Sequence, residues 1–398
     1  MTKVTLDCSG RLCKNTDDTQ RVDAYLPTEC VQNHAANLLQ LPNGDLLCTW
    51  FGGTQEGIPD ISAYYSRLKK GSDTWTKAVK LSDDPTRSEQ NPLFFLDPDN
   101  VLWILYTAQI SGNQDTAIVR YRKSLDYGET WGPIETLLED PNKGIFIRQP
   151  ITVMPNGDWL LPVFYCIAKP GEKWVGSYDT SSVMISKDKG KTWSNIDVPE
   201  SLGCVHMNIL MLKDNSLYAI FRSRWADHIY ESRSTDGGYT WTNPVATILP
   251  NNNSSIQATV LDNGHIALVF NNSSAKDAKE RRVSLYDEIE DESSAHKEEA
   301  KILDGQKNAF WGAPRAPMSL AISTDNGKTW PYIRNLDEGD GYCMSNNSKD
   351  NLNREFSYPS IKQGLDGKLH IAYTYFRMAI KYVLVEEDWV KSTIDNKS

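Results

Sequence analysis

The sequence predicts an all-β fold, a propeller of six blades. Three observations carry this. One eight-residue turn pattern recurs four times, a second hairpin type recurs six times, and the spacing between copies fits one four-stranded blade per repeat. A chain of 398 residues then forms a single domain over 1–398, because repeats that stack on one another share one continuous core.

The first pattern is S-x-D-x-G-x-T-W. It reads SLDYGETW at Ser124–Trp131, SKDKGKTW at Ser186–Trp193, STDGGYTW at Ser234–Trp241 and STDNGKTW at Ser323–Trp330. A degenerate copy, SRLKKGSDTW, ends at Trp75. An Asp at this position can accept bonds from the backbone N–H groups of its own turn. The Gly takes a positive φ, and Thr-Trp restarts a strand. Asp126, Asp188, Asp236 and Asp325 are therefore expected to be structural.

The second pattern is an apolar run, a turn of the Asn-Gly kind, and another apolar run, which is a hairpin signal. It appears in LLQLPNGDLLCTW, LFFLDPDNVLWILY, ITVMPNGDWLLPVF, ILMLKDNSLYAIF, ATVLDNGHIALVF and SIKQGLDGKLHIAYTY. The turns centre near Gly44, Asn100, Gly157, Ser216, Gly264 and Gly367. The last interval is nearly doubled by a charged surface insertion at about 276–305, a loop or short helix, with a lid as the functional alternative. The closing YVLVEEDWV is read as the edge of the sixth blade.

Composition excludes some functions. The net charge of −10 speaks against nucleic acid, which needs a basic footprint, and against an anionic membrane surface. No run of about 18 apolar residues predicts a span. The seven Cys stand singly, with no CxxC pair. With no visible signal peptide, this gives a reduced, cytoplasmic protein as the expectation. No metal or cofactor motif is present, so none is expected.

In a propeller the first strand of each blade lines a central channel. Ten residues before each turn centre stand His34, Gln90, Ile147, His206, Ser254 and Ser357. Their surroundings add Asn91, Arg148, Gln149, Asn208, Gln257 and Tyr358. Buried polar groups cost stability unless they are bonded, so polar groups at this point of every repeat predict a ligand cup. The following strand or loop adds Glu56 and Asp60 on a Gly-rich loop, Arg222, Arg224 and Glu231 in FRSRWADHIYESRS, and Arg377 in TYFRMAIKY. Arg grips carboxylates bidentately.

The four Asp-boxes, with NHAANLLQLPNGDLLCTWFGG, FIRQPI, LPNNNSSIQ and EFSYPSI, resemble the sialidase superfamily of BNR repeats, and within it the "predicted neuraminidase" branch. The resemblance implies an exo-acting glycoside hydrolase that removes a terminal acidic sugar. It also implies a Tyr nucleophile paired with a Glu, an Asp acid/base and arginines on the sugar carboxylate. Carried over, it makes Asp60 the acid/base, Tyr358 the nucleophile and Glu231 its partner. It makes Arg222 or Arg224 the middle arginine and Arg377 the last. Where the family has its first arginine this chain reads NHAAN, and His34 takes the place, with Arg148 as another carboxylate holder. Asn91, Gln149 and Gln257 complete the substrate-binding set. Two alternatives stand beside hydrolysis. One is a lyase or histidine-centred glycosidase acting on a uronate-containing glycan through His34 or His206. The other is a sugar-binding propeller without catalysis.

Overall fold

The computed structural model describes residues 5–282, 284–286, 289, 305–344 and 352–392. It is all-β, with six small antiparallel sheets arranged as a six-bladed propeller. The innermost strands of blades 1 to 6 are Gln32–Gln40, Ser88–Leu96, Gly144–Ile147, Cys204–Met211, Gln257–Val260 and Phe356–Gln363. Blades 1 to 5 then run outward through hairpins in chain order. Second strands such as Leu102–Ile110 and Trp159–Cys166 read as continuous apolar runs because neighbouring blades cover both of their faces.

The core follows from this stacking. Six apolar clusters lie one at each blade-to-blade interface: 1–2 around Tyr106, 2–3 around Trp159, 3–4 around Phe221, 4–5 around Phe270, 5–6 around Phe356 and 6–1 around Trp50. The ring is therefore closed by packing at every joint.

Inner strands converge too tightly for apolar side chains, and polar ones link them. Asn37 Oδ1 accepts from Phe94 N at 3.2 Å, Thr107 Oγ1 from Ile147 N at 3.2 Å and Asn208 Oδ1 from Ala258 N at 2.6 Å. Gln257 Oε1 accepts from Ile361 N at 2.9 Å, and Ser360 Oγ from Leu38 N at 2.9 Å. Each bond joins one blade to the next.

The four S-x-D-x-G-x-T-W segments connect the third strand to the fourth in blades 2, 3, 4 and 5. In the first, Ser124 Oγ donates to Asp126 and accepts from Gly128 N, while Thr130 donates to Asp126 through both its N–H and its hydroxyl. The pattern repeats at Asp188, Asp236 and Asp325. These bonds favour the carboxylate and hold Asp126 and Asp188 at about 2.

Blade 6 differs from the expectation. YVLVEEDWV supplies the third strand, Ala379–Val385, and then a short helix, Glu387–Lys391, rather than an edge strand. The outer strands come from the N-terminus: Val22–Tyr25 pairs with Ala379–Val385, and Cys13–Lys14 pairs with Val22–Tyr25. A polar network locks this strap. Arg21 pairs with Asp23 at 2.6 Å, Lys381 reaches Asp337 at 2.8 Å, and Tyr373 donates to Asp337 at 2.5 Å. The helix expected within the insertion falls outside the described residues.

Removing residues 1–26 takes away two strands of blade 6 and uncovers the edge of Ala379–Val385. The expected result is a melting temperature lower by about 10 °C or more, with aggregation through the freed edge. Thermal melts of the truncated and full chains check this, and an unchanged melting temperature contradicts it.

Candidate functional site

The inner strands of blades 1, 2, 4 and 6 carry the same irregularity. Their register slips between His34 and Asn37, Gln90 and Leu93, Val205 and Asn208, and Ser357 and Ser360. The first bulged residue is Ala35, Asn91, His206 or Tyr358, with φ of 65°, 50°, 54° and 51°. Such a φ costs a residue with a side chain on the order of 1 kcal/mol. In return a bulge re-aims a side chain, here toward the mouth of the channel.

This corrects the repeat count. The left-handed residue of the blade 4 turn is Asn215 (φ 63°), which corresponds to Gly44 and Gly367, and not Ser216. His34 therefore matches Val205, and His206 matches Ala35 and Tyr358. The two histidines are neither equivalent nor apart. Both lie against the Tyr358 ring, with centroids at 4.2 Å for His34 and 5.5 Å for His206.

Tyr358 is the hub. Arg148, Arg222 and Arg315 place their guanidinium carbons 5.5, 5.6 and 5.7 Å from its ring centre. Arg222 Nη1 donates to the Tyr358 hydroxyl at 2.6 Å and lies 3.3 Å from His206 Nε2, and its Nε donates to Asn253 at 2.8 Å. Arg148 runs beneath, donating to the carbonyls of Ala36, Tyr358 and Pro359. Glu355 holds Arg315 at 3.0 Å and also Arg377, whose other nitrogen meets Glu56 at 2.5 Å. Asp179 pairs with Arg224 at 2.7 Å inside a cage of Phe164, Trp174 and Trp311.

The charges do not cancel. Five buried arginines (148, 222, 224, 315 and 377) face three buried carboxylates (Glu56, Asp179 and Glu355). Among the described residues, Arg148 and Arg222 have no carboxylate partner. Burial pushes Arg148 down to about 10. Burial, with Arg224 and Arg315 nearby, pushes Arg222 down to about 9. Buried nitrogens are also left without partners: Arg148 Nη1, Arg222 Nη2, His34 Nε2, His206 Nδ1 and Gln32 Nε2. His206 Nε2 accepts from Arg222, so the bond pattern assigns its proton to Nδ1. Nitrogen donors converge on the hub without enough acceptors, which is the complement of an oxygen-rich anion.

The remaining space is small. A recess with about 10 Å³ of room for the centre of a water molecule is lined by Glu56, Gln90, Asn91, His206, Arg222 and Tyr358, among others. Of the predicted residues, the structure gathers His34, His206, Tyr358, Arg148, Arg222, Arg224, Arg377 and Asn91 here. Four others are corrected. Asp60 is exposed and caps its own loop by accepting from Thr54 N at 3.1 Å. Glu231 sits on the third strand of blade 4, opposite Ile220 and 3.8 Å from Arg233, too far out to partner Tyr358. Gln149 and Gln257 spend both ends of their amides on protein groups, from Ile256 O through each other to Ser360, tying blades 3, 5 and 6 together. Residues not picked out from the sequence are Gln114, Phe164, Trp174, Asp179, Asn253, Trp311, Arg315 and Glu355. Glu355 stands three residues before Tyr358 in EFSYPSI, and this proximity was the available signal. Gln114 and Phe164 lie on strands of blades 2 and 3, and the others come from connecting segments whose approach to the channel depends on the ring's closure.

Burial, with the arginines nearby, holds His34 and His206 well below the usual histidine value, and burial lowers His370. The unfolded chain protonates these imidazoles below about pH 6.5, whereas the folded chain does not. Their contribution to stability is full above pH 6.5 and falls on acidification, by up to about 1.4 kcal/mol per pH unit for each imidazole. Urea midpoints should drop between pH 7.5 and 5.5, and His34→Asn should flatten that drop. A variant with the parent's slope contradicts it.

The residues 44–371 match the BNR repeat-like domain family. No curated protein matches the chain in sequence. Among solved structures, the Hadza microbial sialidase Hz136 is 16% identical with a TM-score of 0.64. That match covers 90% of this chain and 66% of that one, so this chain spans slightly under two thirds of its length. A protein of unknown function from Dyadobacter fermentans is 15% identical with a TM-score of 0.66, covering 92% and 97%. The Ruminococcus gnavus intramolecular trans-sialidase, in complex with oseltamivir carboxylate, is 13% identical with a TM-score of 0.62, covering 90% and 95%. At these identities the likeness is one of fold. The six-bladed ring, the repeated Asp-boxes and the match over residues 44–371 make the chain a member of the BNR repeat-like domain family.

Proposed function

We propose that the protein is an exo-acting, sialidase-like glycosidase that binds the terminal acidic sugar of a glycan and cleaves its glycosidic bond. The observation that carries this is the pair of buried arginines, Arg148 and Arg222, without a carboxylate partner beside Tyr358. The sugar carboxylate supplies the missing counter-charge, and the unpartnered N–H of His206 meets a ring or hydroxyl oxygen. A phenol suits attack beside a carboxylate, since a neutral hydroxyl avoids the repulsion that an anionic nucleophile meets. In this reading Tyr358 Oη attacks the anomeric carbon and gives up its proton to water as the glycosidic C–O bond breaks. Arg222, which donates to Oη, eases loss of that proton. A water then attacks the same carbon, releases the sugar and returns a proton to Tyr358. The leaving oxygen takes its proton from water at the cavity mouth, because Asp60 is exposed and spent on capping its own loop and Glu56 is held by Arg377.

Elimination on a uronate is a second reading. It is favoured by the Tyr358 hydroxyl bonding to an arginine rather than a carboxylate, and by two imidazoles that burial keeps neutral. A neutral imidazole takes the C5 proton, an arginine neutralises the carboxylate, and the C4–O bond breaks as a C4–C5 double bond forms. The leaving oxygen takes a proton from water, and the imidazolium returns its proton to the resulting hydroxide.

The test is to incubate the protein with glycans that end in a sialic acid or a uronate and to identify the products. A released reducing acidic sugar supports hydrolysis, and the ultraviolet absorbance of an unsaturated uronate supports elimination. Tyr358→Phe, folded as judged by its melt, should lose at least about a hundredfold in kcat/KM. Retention of most hydrolytic activity contradicts the first reading, whereas elimination through an imidazole survives loss of the phenol. No turnover of any acidic glycan, with binding retained, makes the protein a lectin.

A further inference from the structure

The charged insertion between the second and third strands of blade 5 reaches the cavity through two of its described residues. Leu285 lines the cavity. Beside it Tyr286 is buried with its hydroxyl in a socket of three glutamines from blade 2. Gln114 Nε2 donates to that hydroxyl at 2.9 Å, and Gln90 and Gln109 Nε2 lie at 3.4 Å. Gln90 and Gln114 also line the cavity, and the three glutamines are 1%, 0% and 5% exposed for Gln90, Gln109 and Gln114. Three buried amides around one hydroxyl oxygen form a site chemically suited to a sugar hydroxyl.

The backbone around the socket is cut away to admit the tyrosine. A Cβ at Gly57, whose φ is +97°, would lie 2.6 Å from Ile289 and 2.8 Å from Tyr286. Gly112, on the far side, faces the same two side chains at 3.5 and 3.8 Å. The aromatic floor is continuous with Trp174, whose ring centre is 6.3 Å from that of Tyr286. With Tyr286 seated, only about 10 Å³ of the cavity is open to the centre of a water molecule, about one water position. A sugar ring does not fit in that space.

We propose that Gln90, Gln109 and Gln114 are a sugar-hydroxyl subsite, and that Tyr286 occupies it as an internal stand-in that substrate must displace. This rests on the proposed action upon a terminal acidic sugar and adds the group that reads the neutral side of that sugar. The carboxylate meets the arginines of blades 3 and 4, and hydroxyls replace the Tyr286 hydroxyl on the blade 2 amides. Binding is then a competition, and the tyrosine sets the affinity.

Calorimetry with N-acetylneuraminic acid and with glucuronic acid tests this on the full chain. Tyr286→Ala should bind the preferred acid about tenfold more tightly, the equivalent of one hydrogen-bonded competitor removed, and Tyr286→Phe should fall in between. Adding Gln114→Ala to Tyr286→Ala should reverse the gain. Affinity that is unchanged or weaker in Tyr286→Ala overturns the proposal, because Tyr286 is then a wall that touches the ligand. A gain that survives the double variant removes the glutamines as a subsite. Acrylamide quenching of tryptophan fluorescence gives a readout independent of the function reading. Trp174 and Trp311, now 4% and 3% exposed, should become accessible in Tyr286→Ala. If neither acid binds any variant, the acidic-sugar reading fails; increased quenching then still supports Tyr286 as the plug, and unchanged quenching overturns it.

Discussion

Six inner strands converging on one axis leave no room for a continuous apolar lining, and much else in this molecule follows from that crowding. The strands meet through polar side chains that bond to the next blade's backbone, as Asn37, Asn208 and Gln257 do. Above those links the strands of blades 1, 2, 4 and 6 bulge into positive φ. The bulge puts Tyr358 at the centre, with His206 and Asn91 at the matching points. The strain is held by a ring packed at all six joints, so the site is built by the scaffold's closure rather than by any one loop.

The second consequence is electrostatic. A position so far from water demands that charges be paired. Arg224, Arg315 and Arg377 obey, through Asp179, Glu355 and Glu56. Arg148 and Arg222 are held instead by carbonyls, an asparagine and the Tyr358 hydroxyl. Neutral acceptors orient a guanidinium but do not cancel its charge, and burial, with the arginines nearby, disfavours the charged form of the two imidazoles. The arrangement is poised for an oxygen-rich anion, which is what the proposed sugar carboxylate would supply.

The architecture was legible because turns are local. Ser-x-Asp-x-Gly-x-Thr-Trp needs only its own eight residues to close, so it marks the third hairpin of four blades, and the Asn-Gly turns mark the first hairpin of all six. The outer strand of blade 6 was not legible, since Val22–Tyr25 lies more than 350 residues from its partner. Within the site, counting back from turns found the right layer but slipped at His206, because Asn215 rather than Ser216 takes the left-handed position. Asp60 and Glu231 stood near the right strands in sequence, and only the resemblance gave them catalytic roles. Glu355 and Arg315 meet only in three dimensions, as does Tyr286 with its glutamines.

The most direct test of this account is whether binding depends on a carboxylate. Titration of the protein with glucuronic acid and N-acetylneuraminic acid, and with the methyl ester of each, isolates that one charge. The account predicts that one of the free acids binds and that its ester binds at least about tenfold more weakly, with the difference abolished in Arg222→Met. Equal affinity for acid and ester in the parent protein would contradict it.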